Sequence, residues 1–352
     1  MVDRINTALV GYGYAGKTFH APLIAACEGL SLHTIVSSRP DAVLADWPGC
    51  RVAATLEQAL ADPAVALVVI ASPNDQHFPQ ARAALLAGKH VVVDKPFTVT
   101  LAEAEALQRL AEEQGRLLSV FHNRRWDADF LQLRALLLEG QLGAISHFES
   151  HFDRYRPQVR ARWREQDIAG AGLWFDLGPH LLDQALCLFG QPEGITAHLA
   201  RQREGAQAVD YAHVHLRYPA QSVVLHASCL VSGGSPRYLV HGSKASFVKY
   251  GLDTQEGDLK QGKLPGHPAW GLDVESGCLL TQENDLVSRQ DLPAPTGDYR
   301  QYYQSVASAV NGHGDNPVPA EQALSVMRWL SLAVLSDAQR RETRLTDLPA
   351  LT

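Results

Sequence analysis

The sequence has no paired-cysteine motif. Its five cysteines, Cys27, Cys50, Cys187, Cys229 and Cys278, are odd in number, scattered and without a CxxC pair. That speaks against a disulfide framework and fits reduced thiols in a cytoplasm. Positive charge is also short: 31 Lys and Arg against 38 Asp and Glu leave a formal net charge of −7, which argues against a nucleic-acid partner. No apolar run reaches membrane-spanning length. Asp3 and Arg4 stand directly before the first predicted strand and Asn6 at its start, where a secretory leader would need apolar residues, so a cytoplasmic protein without membrane contact is expected. There is no internal repeat and no low-complexity tract. What is present is an ordinary globular composition, 46% hydrophobic over 352 residues, enough for two domains with sizeable cores.

The first third alternates short β-branched runs with helical stretches, as an α/β doubly wound parallel sheet requires. Strands are predicted at 5–10, 32–37, 67–71, 90–94 and 117–121, and helices at 76–88 and 100–115, with Gly88 and Gly115 at helix C-caps. Pro22 requires the helix after Gly16 to open with an irregular turn near Phe19 and His20, and to take the proline in its first turn. After about residue 122 the rhythm changes. A helix near 127–140, an alternating segment at 145–155, a helix at 178–190 and several strands between 194 and 250 indicate an α+β second domain. Residues 251–298 read mostly as loops, followed by helices near 299–311 and 320–341. The domains are expected to be 1–122 and 123–352.

Five motifs fall where successive parallel strands should end, which is where ligands bind in open α/β sheets. Gly11-Tyr12-Gly13-Tyr14-Ala15-Gly16 follows a strand and precedes a helix, the context of a dinucleotide fingerprint: Gly11 for the tight turn, Gly13 for close approach to a pyrophosphate, Gly16 for helix–strand packing. At the end of strand 2, Ser37-Ser38-Arg39 replaces the acidic residue that would hold the ribose hydroxyls of NAD. A guanidinium there accepts a 2′-phosphate, so NADP is expected over NAD, with Asp41 acting on the ribose as the alternative. Ser72, Pro73, Asn74 and His77 form a turn and helix start beside the presumed adenosine; read as structure alone, Asn74 or Asp75 is a helix cap. Lys95, pinned by Pro96, aims an ammonium at the cleft or is merely structural. Phe121-His122-Asn123-Arg124-Arg125-Trp126-Asp127 closes the last strand, where its polar groups are expected to face a nicotinamide and substrate; the alternative is that Arg125, Trp126 and Asp127 merely bind the two domains together.

Further on, Arg154, Arg156, Arg160, Arg162 and Arg164 concentrate positive charge around Trp163, as a solvated loop or a clamp on an anionic cofactor. Asp176-Leu177-Gly178-Pro179-His180 places Pro179 in the first turn of the 178–190 helix and His180 beside its N-terminus, where the dipole disfavours the imidazolium that a general base must not be. A metal dyad is the competing reading, but no third ligand stands at a recognisable spacing and no metal is expected. His213, His215 and His226 alternate on predicted strands and read as core or surface histidines.

These strings, from GYGYAGKTFHAPLI through HVVVDKPFTVT to WFDLGPHLLDQ, resemble the Gfo/Idh/MocA oxidoreductases over nearly the whole chain, and look closest to the bacterial branch that contains NADP-dependent scyllo-inositol dehydrogenase. The resemblance implies a Rossmann domain followed by a domain with a large, mostly antiparallel sheet, commonly assembled as a homodimer or homotetramer. It implies a catalytic Lys95, Asp176 and His180, although Asp94 stands where many members have Glu, and it suggests a cis Lys95–Pro96 bond. On this basis Arg124, Trp163 and Arg164 frame the cofactor, and Asn123, Asp153, Tyr155 and Tyr299 join Lys95, Asp176 and His180 around a small polyol or sugar. The alternatives are an NADPH-dependent reductase of another sugar-derived ketone or anhydro-sugar, and a dinucleotide-sensing protein without turnover.

Overall fold

The computed structural model describes residues 4–349, and the chain forms two compact units. The first takes the chain to Trp126 and adds Thr254–Gly271 and Asp298–Leu324. It holds six parallel strands, β1 (Ile5–Val10), β2 (Leu30–Val36), β3 (Arg51–Ala53), β4 (Leu67–Ile70), β5 (His90–Val93) and β6 (Leu118–Val120), in the order β3-β2-β1-β4-β5-β6. This is the doubly wound Rossmann order, which reverses direction between β1 and β4 and opens a crevice at their carboxyl ends. Every residue of β4, and Val91, Val92 and Val93 of β5, is buried, as central parallel strands covered on both faces must be. Strand β3 had no sequence signal because three residues at a sheet edge, one of them buried, carry no periodicity.

The irregular turn before Pro22 is a five-residue π-helical turn, Gly16–His20, and the short helix Ala21–Ala25 then takes Pro22 in its first turn. Helices Asn74–Leu86 and Leu101–Glu113 are each followed, one residue past the cap, by Gly88 and Gly115 at positive φ. A Thr100–Glu103 capping box starts the second of them.

The second unit comprises Asp127–Asp253, Leu272–Gly297 and the chain from Ser325. Its sheet has eight strands: β7 (Ile145–Asp153), β8 (Gly194–Ala200), β9 (Tyr211–Arg217), β10 (Ser222–Ser228), β11 (Tyr238–Gly242), β12 (Ser246–Lys249), β13 (Gly277–Glu283) and β14 (Leu286–Leu292), in the order β14-β13-β12-β11-β7-β10-β9-β8. All neighbours are antiparallel except β7 and β10. Helix Gly172–Phe189 packs over β10, β7 and β9, against the face that buries Phe148, Ser150 and Phe152.

One expectation needs correction. The boundary near 122 falls short of Trp126, and the chain re-enters the first unit twice, so the 299–311 helix (Arg300–Val310) belongs there: Tyr303 meets His20, and Ala307 lies so close to Gly29 that a Cβ on the glycine would come within 2.9 Å. Residues 251–298 are mostly loops, as expected, but they also hold the helix Gln255–Lys260 and the β13–β14 hairpin. The hairpin was hidden because β14 is an exposed edge strand without an apolar face; Asn284 at φ +54 in its turn was the available cue. No described helix is long and apolar enough to cross a membrane.

Candidate active site

The glycine loop leaves β1 with Gly11 at φ +95, where a side chain would stand 2.8 Å from the Ala71 carbonyl oxygen. A Cβ on Gly16 would lie only 2.0 Å from the Gly11 oxygen, so this glycine is dictated by the loop itself. Gly13 differs: a Cβ there would meet nothing within 4 Å. Its bareness serves no packing purpose inside the protein, and the open space above its backbone fits the approach of a pyrophosphate.

Past β2, Ser37, Ser38 and Arg39 carry no carboxylate. The Arg39 backbone N–H donates to Ser37 Oγ (3.1 Å), and its guanidinium donates to the Tyr12 carbonyl (2.7 Å), so the cation rests against the glycine loop. Asp41 is exposed in the first turn of helix Pro40–Asp46. At the other end of that helix, Asp46 accepts from the Tyr12 hydroxyl and pairs with Lys17, both at 2.7 Å.

At the ends of β4 and β5 two turns are tied together by one imidazole. The buried His77 ring has Nδ1 2.9 Å from the Pro96 oxygen and Nε2 3.0 Å from the Ser72 oxygen, and burial pushes its pKa down. Neither Asn74 nor Asp75 is the cap, because Pro73 occupies that position and Asn74 is already helical. The Lys95–Pro96 bond is cis, as the family resemblance suggested. Next to it, Asp94 accepts from the Lys95 backbone N–H at 2.8 Å. Burial would raise the Asp94 carboxyl, but the His20 ring 3.8 Å away, the Lys95 charge and His77 outweigh it and bring it down to about 2. His20 is itself fully buried and its Nδ1 lies 2.6 Å from the Tyr303 hydroxyl.

Asn123 and Arg124 are buried in the 3-10 turn Asn123–Trp126. Arg124 is paired with Glu256 at 2.6 Å, and Glu256 also accepts from the Tyr14 hydroxyl and pairs with Lys260. Burial of Glu256 is overcome by these two cations, which hold its carboxyl at about 2. Arg124 and Tyr14, both assigned to the cofactor from the sequence, are thus joined through a residue the sequence reading passed over. Tyr299, a substrate candidate, is fully buried at the start of helix Arg300–Val310 with its N–H on Gln255, a position that offers a substrate no open surface.

In the second unit, Asp176 and His180 lie on the helix Gly172–Phe189. The helix begins six residues earlier than expected, so Pro179 is interior and His180 is beyond reach of the N-terminal dipole, which acts only within the first turn. The proline misled because it normally marks a helix start; here Gly178 accompanies it, bare because a Cβ would come within 2.8 Å of Trp174 and 3.0 Å of Leu330. The longer helix has its own consequence: Asp176 and His180 become an i, i+4 pair on one face. Two arginines flank Asp176, Arg154 at 3.4 Å and Arg164 at 3.8 Å, and the Arg164 guanidinium lies over the Trp163 ring at 5.0 Å. Arg162, Arg164, Asp176, Arg203 and Cys229 line a small cleft, so part of the arginine-rich segment forms a wall rather than a solvated loop.

Not every candidate joins this group. Tyr155 is 60% exposed. Asp153 follows Phe152 on β7 and therefore points to the opposite face of the sheet from the one that meets His180. Lys95 belongs to the first unit, Asp176 and His180 to the second.

Two family models match the chain: an oxidoreductase family, NAD-binding Rossmann fold, over residues 5–122, and an oxidoreductase family, C-terminal alpha/beta domain, over residues 134–345. The chain is 53% identical to the uncharacterized oxidoreductase YdgJ of Escherichia coli K12, over 97% of this chain and 98% of the relative. It is 40% identical to the scyllo-inositol 2-dehydrogenase (NADP(+)) IolW of Bacillus subtilis 168, over 98% and 97%. Among solved structures, that of YPO2259 from Yersinia pestis superposes with a TM-score of 0.95 at 49% identity, covering 100% of this chain and 99% of that one.

Proposed function

Because this chain belongs to the Gfo/Idh/MocA oxidoreductase family, we propose that it is an NADP-dependent dehydrogenase of a secondary hydroxyl on a cyclic polyol, with scyllo-inositol and scyllo-inosose as its substrate pair. The observation that carries the substrate is the 40% identity to the Bacillus subtilis enzyme along nearly the full length of both chains. The absence of a carboxylate after β2, with Arg39 held against the Tyr12 carbonyl, supports the cofactor choice.

Bound NADP(H) supplies the hydride acceptor or donor at its nicotinamide ring. Gly11, Gly13 and Gly16, with Tyr12, Tyr14 and Ala15, receive the pyrophosphate. Ser37, Ser38 and Arg39 take the 2′-phosphate, the guanidinium in a charge-assisted contact. Ser72, Pro73, Asn74, His77 and Pro96 support the ribose side, and Arg124, Trp163 and Arg164 frame the rest. His180 accepts the hydroxyl proton during oxidation and returns it during reduction. Lys95 donates a hydrogen bond to the same oxygen as negative charge develops there. Asp176, one helical turn before His180 and held by Arg154 and Arg164, orients these groups. Asn123 is a further donor and acceptor of the kind a polyol requires.

The test measures NADPH formation with scyllo-inositol and myo-inositol and NADPH consumption with scyllo-inosose. Turnover is expected on the scyllo pair. An axial epimer should lose about 5- to 150-fold in kcat/KM, because each unmatched polar group costs about 1–3 kcal/mol. No activity on any of these, with good turnover of an open-chain or anhydro-sugar ketone, would make the enzyme a reductase of that other class.

A further inference from the structure

Seven histidines lie along the face of the second unit's sheet that is turned away from helix Gly172–Phe189, and three polar side chains there converge. His151 on β7 and His226 on β10 are register partners, and Asp153 stands two residues further along β7. We propose that His151, Asp153 and His226 form a binding site for a divalent ion of the zinc class.

Each carboxylate oxygen of Asp153 faces one ring: Oδ2 lies 3.3 Å from His151 Nδ1, and Oδ1 lies 3.5 Å from His226 Nε2. Donors about 2.0–2.1 Å from a tetrahedral ion stand about 3.4 Å apart, whereas an octahedral ion at that distance would bring neighbours to about 3.0 Å. The spacing therefore favours a four-coordinate ion. All three donor atoms lie within 4.8 Å of one another.

The surrounding groups are those a metal site needs. His151 has Nε2 2.8 Å from Glu149, and His226 has Nδ1 3.3 Å from His213 Nδ1, so each ring can give its outward N–H to a neighbour while its inward nitrogen stays free to ligate. Ser235 donates to Asp153 Oδ2 at 2.6 Å. The other oxygen, Oδ1, is buried and accepts no hydrogen bond, on a side chain only 3% exposed. A buried carboxylate oxygen left bare is costly, and a cation on it removes that cost. Two imidazoles and one carboxylate without a thiolate suit zinc, with cobalt as a spectroscopic substitute. The two rings keep 16% and 14% exposure, which leaves the fourth position open to water. The ion would cross-link β7 and β10, the one parallel pair in the sheet, whose pairing is the weaker kind.

The test uses untagged full-length protein stripped with a chelator and titrated with zinc, with metal content read by mass spectrometry and binding by calorimetry. About one ion per chain is expected, with a rise in Tm that grows with zinc concentration. His226→Gln and Asp153→Asn should abolish binding, Glu149→Gln should weaken it roughly 10- to 100-fold, and His267→Gln, at an exposed position elsewhere, should change nothing. The cobalt form of the natural protein should show the intense visible bands of a four-coordinate ion, a reading that needs no variant. Substoichiometric binding by the natural chain, equal binding by His226→Gln, or weak six-coordinate cobalt bands would each overturn the proposal.

Discussion

A methyl group added at Gly13 should separate cofactor binding from stability. In the fold nothing lies within 4 Å of the added carbon and the backbone is not in the left-handed region, so Gly13→Ala strains nothing. By restricting the unfolded chain it should stabilise by about 0.4–1 kcal/mol, which for a domain of this size is about 1–4 °C in Tm. With the pyrophosphate placed over Gly13 as proposed, the same methyl occupies the space it needs. Losing one charge-assisted backbone hydrogen bond costs about 1.5–3 kcal/mol, or about 10- to 150-fold in Kd for NADPH. Gly16→Ala should behave in the opposite manner, because its Cβ would meet the Gly11 carbonyl oxygen at 2.0 Å. Overpacking against backbone costs about 1–3 kcal/mol, a fall of about 2–12 °C. Thermal unfolding without cofactor, together with NADPH fluorescence titration, reads both quantities. The reasoning fails if Gly13→Ala binds NADPH as the natural chain does, or if it melts as early as Gly16→Ala.

Arg39→Asp should narrow or reverse a preference for NADP over NAD, measured as the ratio of the two dissociation constants; equal affinities in the natural chain would remove the basis for that assignment. Lys95→Ala and His180→Ala should each lower kcat on the order of 10²-fold or more while cofactor binding holds, and near-normal turnover in both would end the proposed roles. Arg237 is buried against Asp129 at 3.2 Å, with Ser150 and Gln184 as further partners; Arg237→Ala should cost about 3–5 kcal/mol in urea unfolding, because Asp129 is left buried without its cation. Glu256, at about 2 in the fold against an ordinary 4.5, contributes stability that is complete above pH 4.5 and lost as pH falls towards 2. Glu256→Gln should therefore flatten the acid limb of a Tm–pH profile and leave its slope near neutrality unchanged.

The parts of this protein written in neighbouring residues are legible in the sequence itself. Apolar runs such as Leu67–Ile70 and His90–Val93 gave the parallel strands, the glycine spacing at 11, 13 and 16 gave the dinucleotide loop, and Pro22 foretold an irregular turn. Where local signals conflict or fall silent, reading along the chain failed. Gly178 and Pro179 imitate a helix start, yet packing against Trp174 and Leu330 lets the helix run through them; β14 presents no apolar face to betray it.

Other features rest on pairings that no local pattern records. The Arg124–Glu256 bridge joins residues 132 positions apart, and the helix carrying Tyr303 returns to His20 across most of the chain. His151, Asp153 and His226 come together because β10 pairs with β7 in one register; a shift of one residue would turn the His226 side chain to the other face. Side-chain periodicity is set by bonds between adjacent residues and so is carried by the sequence directly. Which strand lies beside which, and in what register, is decided by the burial of whole faces at once, and only the folded chain performs that selection.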